Sequence, residues 1–469
     1  MPGEKTDVLL TIVPPWDYEK PSLGASCLVS YLKSIGINVE VADLNIELYL
    51  NSPECARKNW SNQVSFFWQQ DELADKYSKH LDNFAERICS CDSKVLGFSV
   101  NTINSIYFLK ELIFRIRKKD PDKVIIVGGP GCFNTHERKI FEDGLVSFFV
   151  IGRGELAMEG LLAKIGVFDS PAADQKCRIF RDQNGYLCVE ATQKFSLDAM
   201  PLPIFEEFDL SLYTQPLLPL LWSTGCIRTC VFCLDRVFSG TYSSKSISRV
   251  IREIKFYVEK YGIRRFRFVD NLINGNLHSL DEFCCQIVKE DISIEWYGQI
   301  AVRGDMNSSI FKKLKASGCE RLDLGIECFS DKVLKAMNKG FLAKDAIQNI
   351  IDAKSAGLKV SIFIIIGFPG EEETDFDETV ENIKRYRKYL DEIGNLTLCC
   401  IPFGTDLHNN PHKYNIAVEG SRVMKDFWLK WHTKDNSNNF EIRVERLKKL
   451  TKMLYELQIP FKDNLKLVT

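Results

Sequence analysis

Three cysteines, Cys226, Cys230 and Cys233, share the short segment GCIRTCVFC, which begins where a predicted strand ends. Thiolates are the ligands that iron–sulfur clusters require. A structural zinc ion would need four ligands, and no fourth Cys or His lies nearby in the sequence. Three thiolates on a 4Fe–4S cluster leave one iron without a protein ligand. The spacing therefore predicts such a cluster with a reactive iron; the alternative is three cysteines that share a loop by coincidence.

The composition limits what kind of protein carries these cysteines. The chain has 469 residues, of which 45% are hydrophobic and 26% charged, and its net charge is −2. These values predict a soluble protein of two or three domains that binds neither nucleic acid nor a membrane. The N-terminal residues show no secretory signal, so we expect a cytoplasmic, reducing environment. Most of the 16 cysteines are then predicted to be small, buried apolar residues without disulfides.

Residues 1–165 alternate short apolar runs with helical patterns. Strands are predicted at Val8–Val13, Val39–Ala42, Val95–Val100, Val124–Val127 and Phe148–Ile151. Strands separated by helices indicate an α/β fold with a doubly wound, Rossmann-like parallel sheet. Ligands on such sheets bind beyond the carboxyl ends of the strands, where several glycines fall. Residues 51–90 interrupt the alternation and are predicted to form a helical insertion.

The rest of the chain divides into three stretches. Residues 166–215 are predicted to be a linker with a hairpin at Asp182–Gly185. Residues 216–405 resume the alternation, which favours a partial (β/α)6, TIM-like barrel with its chemistry at the carboxyl ends of the strands. Residues 406–469 are predicted to form a helical C-terminal region. The barrel strands are predicted at Leu218–Trp222, Arg265–Val269, Ile294–Gln299, Arg321–Gly325, Lys359–Ile366 and Leu396–Ile401.

The cysteine segment resembles the signature of the radical S-adenosylmethionine (radical SAM) superfamily, including the aromatic Phe232 before the last cysteine. The resemblance implies that the open iron chelates the amino and carboxylate groups of S-adenosylmethionine. It further implies that one electron, from a donor such as flavodoxin or ferredoxin, cleaves the sulfonium to give a 5′-deoxyadenosyl radical. Phe232 is then expected to lie beside the cofactors.

Later strand ends resemble the same superfamily. Gly325–Glu327 is similar to its fourth-strand element, which makes Glu327 a candidate contact to S-adenosylmethionine. The turn that begins at Gly367, with the sequence GFPGE, resembles the turn that backs the adenine. Gln299 and Arg303 fall where members place polar contacts to S-adenosylmethionine, and an arginine suits its carboxylate. Polar side chains that only face solvent would account for Gln299 and Arg303 equally well.

Residues 1–165 resemble the cobalamin-binding domain that some radical SAM enzymes carry before the barrel. Small residues at successive strand ends suit a flat corrin ring, which needs close backbone and few bulky side chains. The residues that carry this resemblance, and that it implies as cobalamin contacts, are Leu23, Gly24, Ser99, Asn101, Thr102, Gly128, Gly129, Pro130, Gly152, Gly154 and Glu155.

The cobalamin resemblance departs from the common pattern at one point. Many cobalamin domains provide a lower axial histidine from an Asp-x-His-x-x-Gly motif, and this sequence has none. His80 and His136 are the only histidines of the N-terminal stretch, and neither has that context. We therefore expect cobalamin without a histidine below the cobalt. The alternatives are a domain that has lost the cofactor or one that binds another ligand.

The two resemblances together imply a cobalamin-dependent radical SAM methyltransferase. It would act on an unactivated carbon or a phosphinate of a small-molecule or peptide substrate. A rearrangement, ring contraction or cyclisation with the same cofactors is one alternative, and a corrinoid- or metal-binding sensor or carrier is another. The sequence identifies no catalytic acid or base. Asp270 and Asn271, at the end of the second barrel strand, either contact the substrate or cap a helix.

Overall fold

A computed structural model describes residues 5–58, 60, 68, 73–170, 173–193, 196–417 and 429–463. The chain divides into two compact units, Met1–Pro216 and Leu217–Thr469. Each unit is built around a seven-stranded sheet. The predicted α/β class, with a doubly wound sheet followed by a second, parallel α/β unit, is confirmed.

The first unit contains a mostly parallel sheet with the order β2-β1-β3-β4-β5-β7-β6. Its strands are β1 (Val8–Ile12), β2 (Val39–Asp43), β3 (Val95–Ser99), β4 (Val124–Gly128), β5 (Phe148–Ile151), β6 (Cys177–Arg181) and β7 (Leu187–Ala191). The last two form an antiparallel hairpin, and β7 pairs with β5 in parallel. The hairpin, which the sequence analysis assigned to a linker, thus extends the first sheet.

Helices of the first unit connect these strands. They are α1 (Leu23–Ser34), α2 (Leu44–Asn51), α3 (Glu54–Arg57), α4 (Leu73–Lys76), α5 (Ser78–Ser90), α6 (Ile103–Lys119), α7 (Thr135–Arg138), α8 (Gly154–Lys164) and α9 (Ala173–Lys176). The described part of the predicted insertion at 51–90 is helical, from α3 to α5. The other residues of that insertion, 59, 61–67 and 69–72, lie outside the described residues.

The second unit contains a parallel sheet with the order β16-β15-β14-β13-β12-β11-β8. Its strands are β8 (Leu217–Leu220), β11 (Arg265–Phe268), β12 (Glu295–Ile300), β13 (Cys319–Glu327), β14 (Lys359–Ile366), β15 (Glu392–Leu398) and β16 (Phe461–Asp463). A separate two-stranded antiparallel sheet joins β9 (Ser223–Thr224) to β10 (Ser243–Ser244). Because the large sheet is parallel, the carboxyl ends of its strands meet at one edge.

Helices of the second unit follow the same alternation. They are α10 (Asp235–Ser239), α11 (Ile247–Tyr261), α12 (Leu277–Lys289), α13 (Ser308–Ala316), α14 (Asp331–Ala336), α15 (Ala343–Ser355), α16 (Glu373–Tyr386), α17 (Asp406–Asn409) and α18 (Phe440–Glu456). Short 3-10 turns occur in both units, at Pro130–Cys132, Leu197–Ala199, Leu210–Leu212, Arg387–Tyr389 and Pro411–Tyr414. Among the described residues, no helix combines the length and apolar character needed to cross a membrane.

The strands β15 and β16 differ most from the sequence expectation. The strand predicted at Leu396–Ile401 runs from Glu392 to Leu398, because pairing with β14 begins at Glu392 and outweighs the local run of apolar residues after Leu396. The C-terminal region, predicted to be helical, also contributes β16, whose three residues pair with β15. So short a strand leaves no alternating pattern in the sequence.

An aromatic cluster fills the core beneath the cysteine segment. Trp222, Phe268, Phe283 and Trp296 are buried, and their ring centroids lie 5.3–5.8 Å apart in the closest pairs. Such tilted and edge-to-face contacts are the favoured geometry for aromatic pairs. Since Trp222 precedes Cys226 by four residues, this packing fixes the start of the cysteine segment.

In the first unit, the ends of β3 and β4 approach each other so closely that only glycine fits. Gly129 has φ 111° and ψ 170°, a backbone region that is essentially restricted to glycine. A Cβ atom built there would lie 2.4 Å from the carbonyl oxygen of Val100. The same test at Gly131 places a Cβ atom 2.4 Å from the carbonyl oxygen of Thr102. The two strand ends therefore present backbone rather than side chains at this edge.

We expect Gly129→Ala to lower the free energy of unfolding of the first unit by roughly 3 kcal/mol or more, because it combines backbone strain with a steric clash. Gly144→Ala is the matched control, since Gly144 also has a positive φ but open space around it. That control should cost about 1 kcal/mol. Chemical denaturation of both variants measures the difference, and equal losses would contradict the close approach.

Candidate functional site

The three cysteines lie in a loop that the two-stranded sheet closes at its base. This cysteine loop, residues 225–242, connects β9 to β10. Gly225 has φ +76°, and a Cβ atom there would lie 2.4 Å from the carbonyl oxygen of Thr241. Only glycine lets the two sides of the loop approach so closely. Cys226 therefore leaves the sheet at a fixed point.

A buried carboxylate anchors the same base. Asp270 Oδ1 accepts a hydrogen bond from the hydroxyl of Ser223 at 2.7 Å, and Asp270 Oδ2 accepts one from the backbone N–H of Trp222 at 3.1 Å. Desolvation raises the pKa of Asp270 to about 6, against the lowering effect of these donors. The nearby helix α12 is capped by Asn276 instead. Asp270 therefore anchors the loop rather than capping the helix, whereas Asn271 donates to the hydroxyl of Ser239 at 3.3 Å.

The cysteine side chains are partly exposed, which leaves them accessible to a metal cluster. The backbone N–H of Arg228 donates to Cys226 Sγ at 3.3 Å. Burial raises the pKa of the Cys230 thiol, and it raises the pKa of the Cys233 thiol to about 12. Without metal these thiols are protonated at neutral pH, so metal binding must displace their protons.

A four-residue turn after α14, Met337–Gly340, supports the outer part of the cysteine loop. The Met337 carbonyl accepts from the Val231 N–H at 3.1 Å, and the Asn338 amide donates to the Thr229 carbonyl at 3.1 Å. The Gly340 carbonyl accepts from Arg228 Nη1 at 2.9 Å. We call this turn the 337–340 brace. The brace has no distinctive sequence signal, because Asn-Lys-Gly after a helix resembles an ordinary helix end.

The third residue of the brace, Lys339, forms a buried ion pair with a predicted site residue. Lys339 Nζ lies 2.9 Å from Glu327 Oε1, and both side chains are about nine-tenths buried. Burial opposes the charge on Lys339, but attraction to the Glu327 carboxylate, to which it also donates a hydrogen bond, outweighs burial and raises the pKa of Lys339. Glu327 has φ +77°, an uncommon conformation for a residue with a side chain. Such strain is typical of functional sites.

Several predicted residues converge around Gly325 in β13. A Cβ atom there would lie 3.1 Å from Glu327 Oε1, 3.7 Å from Lys339 Nζ and 3.8 Å from Gln299 Nε2. The Lys339 ammonium also lies 5.7 Å from the centroid of the Phe232 ring, within cation–π range. The structure thus groups Gln299, Glu327 and Phe232 near the cysteines, with Lys339 as an addition that the sequence did not suggest.

Arg303 is engaged differently from the expectation. Its Nε and Nη2 atoms donate to Asp305 at 2.8 and 2.6 Å, and Nη1 donates to the backbone carbonyls of Asn274 and Gly275. Hydrogen bonding to Asp305 raises the pKa of Arg303. Its guanidinium is therefore bound on all sides by protein groups, which fits loop support better than recognition of a carboxylate.

Gly367 follows β14 and starts the predicted adenine turn. It has φ +78°, and its N–H donates to Glu371 Oε2 at 2.7 Å. Gln299, Glu327 and Gly367 end or follow β12, β13 and β14 at the edge where the cysteine loop begins. The parallel sheet therefore brings these elements together although they are far apart in the sequence.

The chemistry of these donors fits an iron–sulfur cluster. Among the described residues, no three His, Cys, Asp or Glu side chains are grouped to hold a single metal ion. In a cluster each thiolate binds its own iron, so the cysteines need not converge on one point. The buried Lys339 provides positive charge beside ligands that become negative. Three thiols on one loop, a donor N–H to sulfur and this cation are together suited to a cluster.

In the first unit, the predicted cobalamin residues lie together at the carboxyl edge of the sheet. Ser99 and Gly128 end β3 and β4, and Pro130 opens the 3-10 turn after Gly129. The amide nitrogen of Asn101 is buried, yet it has no hydrogen-bond partner within the described part of the chain. Cβ atoms at Gly24 and Gly152 would meet nothing within 4 Å. Exposed backbone, open space and an unpaired buried donor fit a flat ligand with polar substituents.

The remaining residues of this edge have protein partners. Leu23 opens α1, and Thr102 donates to the Pro15 carbonyl at 3.4 Å. Gly154 and Glu155 open α8, where Glu155 is buried and lies 3.5 Å from Arg153. A carboxylate in the first turn of a helix is favoured by the helix dipole, which accounts for Glu155 without a ligand.

The two histidines of the first unit lie in helices. His80 is in α5, and the centroid of its ring lies 6.2 Å from that of Phe84 and 6.3 Å from that of Tyr77. His136 lies in the short helix α7, after the glycine-rich turn. Neither directly follows a strand of the sheet.

Comparison with known proteins identifies the second unit. Residues 220–383 match the family described as Radical SAM superfamily. This range contains the cysteine loop, Gln299, Glu327, the 337–340 brace and Gly367. The second unit therefore carries a radical SAM domain, and the predicted enzyme class is confirmed.

Relatives and solved structures extend over most of the chain. An uncharacterized methyltransferase of Pyrococcus horikoshii is 25% identical over 396 residues, which are 82% of each chain. The methyltransferase TsrM from Kitasatospora setae, solved with cobalamin and a 4Fe–4S cluster, is 16% identical and covers 84% of this chain and 72% of its own at a TM-score of 0.64. The cobalamin-dependent radical enzyme OxsB, solved with aqua-cobalamin, is 16% identical, with coverages of 88% and 56% and a TM-score of 0.58. The fold of both units is thus that of known cobalamin-dependent radical SAM enzymes.

We expect Lys339→Met to lower the free energy of unfolding by about 3–5 kcal/mol, because it leaves the Glu327 carboxylate buried without its cation. Chemical denaturation measures the loss, with Lys344→Met on the exposed face of α15 as the matched control. The double variant Glu327→Gln, Lys339→Met should recover most of the loss, since no unpaired charge stays buried. A Lys339→Met variant as stable as the control would contradict the ion pair.

Proposed function

We propose that this protein is a cobalamin-dependent radical SAM methyltransferase that acts on an unactivated carbon or a phosphinate of a small-molecule or peptide substrate. One observation carries the proposal: two features occur in the same chain. The second unit has the cysteine loop within a radical SAM domain, and the first unit has strand ends that suit a corrin ring. The methyltransferase names of the Pyrococcus horikoshii relative and of TsrM support methyl transfer.

In this proposal Cys226, Cys230 and Cys233 hold the cluster, and Gln299, Glu327 and the Gly367 turn hold S-adenosylmethionine. When bound, the cluster and S-adenosylmethionine would supply a 5′-deoxyadenosyl radical, and the corrinoid would supply the methyl group. The N–H of Arg228 donates to Cys226 Sγ at 3.3 Å and stabilises its thiolate. Lys339 offsets the negative charge of three thiolates, and it orients the Glu327 carboxylate.

The amino group of S-adenosylmethionine, bound to iron as a neutral amine, can donate an N–H to Glu327, and its carboxylate suits Lys339. Glu327 and Lys339 already stand 2.9 Å apart, so the two groups of the ligand would add one acceptor and one donor to this pair. We do not assign this role to Arg303, because its guanidinium is bound by Asp305 and two backbone carbonyls. Gln299 adds an uncharged hydrogen-bonding group beside the pair.

For cobalamin, the proposal uses the carboxyl edge of the first sheet. The backbone at Gly128 and Gly129 and the open space at Gly24 and Gly152 allow a flat ring to approach. The unpaired amide of Asn101 is suited to an amide or carbonyl group on the periphery of the ring. We propose that the cobalt has no histidine ligand, because the sequence lacks the Asp-x-His-x-x-Gly motif and both His80 and His136 lie in helices.

A reduced flavodoxin or ferredoxin is the electron donor that we propose, since the cluster must receive one electron. We also propose a cytoplasmic location. All 16 cysteines are free of disulfides, as a reducing compartment favours.

The central test is a product assay with anaerobically reconstituted protein, S-adenosylmethionine and a reductant. We expect both 5′-deoxyadenosine and S-adenosylhomocysteine, because the proposed reaction uses one S-adenosylmethionine as radical source and another as methyl donor. Cys230→Ala should abolish the visible absorption of the cluster and all 5′-deoxyadenosine formation. The matched control is Cys285→Ala, which removes an exposed cysteine of α12 and should change neither.

The other outcomes of this assay decide between the alternatives. 5′-Deoxyadenosine without any S-adenosylhomocysteine would exclude methyl transfer and favour a rearrangement or cyclisation. Neither product, from protein with both cofactors bound, would favour a sensor or carrier. Unchanged cleavage by Cys230→Ala would exclude the iron–sulfur site itself.

The cobalamin site is tested separately by Gly24→Val. Valine is tolerated in the first turn of α1 at least as well as glycine, and its Cβ atom meets nothing within 4 Å. We expect normal folding by circular dichroism but a roughly tenfold lower corrinoid content than Ser34→Val, at the other end of α1, which is the control. The cobalt(II) form in the wild type should show no nitrogen splitting in its electron paramagnetic resonance spectrum. Nitrogen splitting from a histidine would contradict the proposed ligation.

A further inference from the structure

The segment 429–456, which we call the C-terminal clamp, holds the turn that follows β14. It consists of the residues before α18 and the helix α18 itself, and it lies outside residues 220–383 that match the radical SAM superfamily. Our inference concerns its contacts with Gly367–Glu371. It rests on the proposed function, in which this turn backs the adenine of S-adenosylmethionine.

Gly367 is held by groups from the clamp and by the turn itself. Asn438 Nδ2 donates to the carbonyl oxygens of Gly367 and Phe368, each at 3.1 Å. A Cβ atom at Gly367 would lie 2.3 Å from the Arg443 side chain, so the arginine packs directly against the glycine Cα. The Gly367 N–H is taken by Glu371 Oε2 at 2.7 Å. No freedom is left for the backbone at the start of the turn.

A buried ion pair fixes the other end of the turn. Arg446 Nη1 lies 2.9 Å from Glu371 Oε2, and both side chains are almost fully buried. The same carboxylate oxygen accepts the Gly367 N–H, so Arg446 acts on Gly367 through Glu371. Desolvation raises the pKa of Glu371 to about 7, while Arg446 lowers it. Arg446 therefore stabilises the charged form of Glu371, which burial alone disfavours.

Arg443 connects the clamp to the neighbouring strand. It is fully buried, and its guanidinium donates to the backbone carbonyls of Leu429 and Trp431 at 2.6 and 2.8 Å. It also lies 4.0 Å from the centroid of the Trp431 ring, and Trp431 Nε1 donates to the Cys399 carbonyl, just after β15, at 2.8 Å. The clamp thus fixes the ends of β14 and β15 together.

Burying two guanidinium groups is costly, and well-packed apolar residues often stabilise a fold as well or better. The arginine network of the clamp is therefore better explained by what it holds in place than by added stability. What it holds in place is the Gly367 turn.

We propose that the C-terminal clamp is part of the S-adenosylmethionine site and that Arg446 is a positioning residue for the adenine. It acts through Glu371, while Asn438 and Arg443 hold Gly367 from the other side. The cysteine loop is held by other groups, the 337–340 brace and Asp270. Loss of the clamp contacts should therefore weaken binding of S-adenosylmethionine without loss of the cluster.

The test compares Arg446→Gln, Arg446→Lys and Asn438→Asp in the reconstituted full-length protein. Asn438→Asp keeps the acceptor for Arg443 but removes the donor to both carbonyls of the turn. Lys448→Gln is the control, since Lys448 lies on the same helix and pairs only with exposed Glu445 among the described residues. Iron content and visible absorption report on the cluster, and the formation of 5′-deoxyadenosine at varied S-adenosylmethionine concentrations gives kcat and KM.

We expect Arg446→Gln and Asn438→Asp to raise KM for S-adenosylmethionine by roughly tenfold with little change in kcat or iron content. Arg446→Lys should restore part of the affinity, because it keeps the charge beside Glu371. Amide hydrogen exchange at Gly367 should become faster in Arg446→Gln but not in Lys448→Gln. This exchange measurement requires no bound cofactor.

Two different results would overturn the inference, and they are distinguishable. In the first, the wild type cleaves S-adenosylmethionine, and the clamp variants have the same KM and the same exchange rate at Gly367 as the wild type. The positioning role alone is then wrong. If the wild type holds the cluster but binds no S-adenosylmethionine, the proposed function fails and the inference fails with it.

Discussion

The buried pair of Lys339 and Glu327 is the interaction on which the candidate site most depends. It joins the 337–340 brace, which supports the cysteine loop, to the end of β13, where the backbone of Glu327 adopts φ +77°. A strained carboxylate persists only when its surroundings fix it. Here a lysine near Cys230 and Cys233 provides that constraint. The same ion pair is suited to a cluster and to the amino and carboxylate groups of S-adenosylmethionine, so structural and chemical requirements coincide.

Around this pair, each part of the site is held from a different direction. Asp270 fixes the base of the cysteine loop, the brace supports its outer part, and the C-terminal clamp fixes the turn after β14. Each contact joins segments that are far apart in the sequence. The candidate site of the first unit is built differently, because its strand ends present backbone and empty space rather than charged side chains. This contrast matches what a small charged ligand and a broad flat ring each require.

Much of this arrangement could be predicted from the sequence. Buried parallel strands can be recognised in a sequence as short apolar runs. Because the carboxyl ends of parallel strands lie at the same edge of a sheet, Cys226, Gln299, Glu327 and Gly367 are expected at one edge. The brace and the clamp could not be predicted, because Asn338-Lys339-Gly340 and the arginines of α18 have the local pattern of a helix end and a solvated helix face. Their roles arise from tertiary contacts. The failed strand boundary at Leu396 and the unexpected β16 have the same cause, since strand pairing outweighed local composition.

The proposed function requires that Cys226, Cys230 and Cys233 hold a cluster with one iron open to S-adenosylmethionine. Mössbauer spectroscopy of iron-57 protein, reconstituted anaerobically and measured with and without S-adenosylmethionine, reports on each iron of such a cluster. We predict the spectrum of a 4Fe–4S cluster in which the signal of one iron alone shifts when S-adenosylmethionine is added. A mononuclear iron spectrum, or a cluster whose four irons all stay unchanged, would contradict the account.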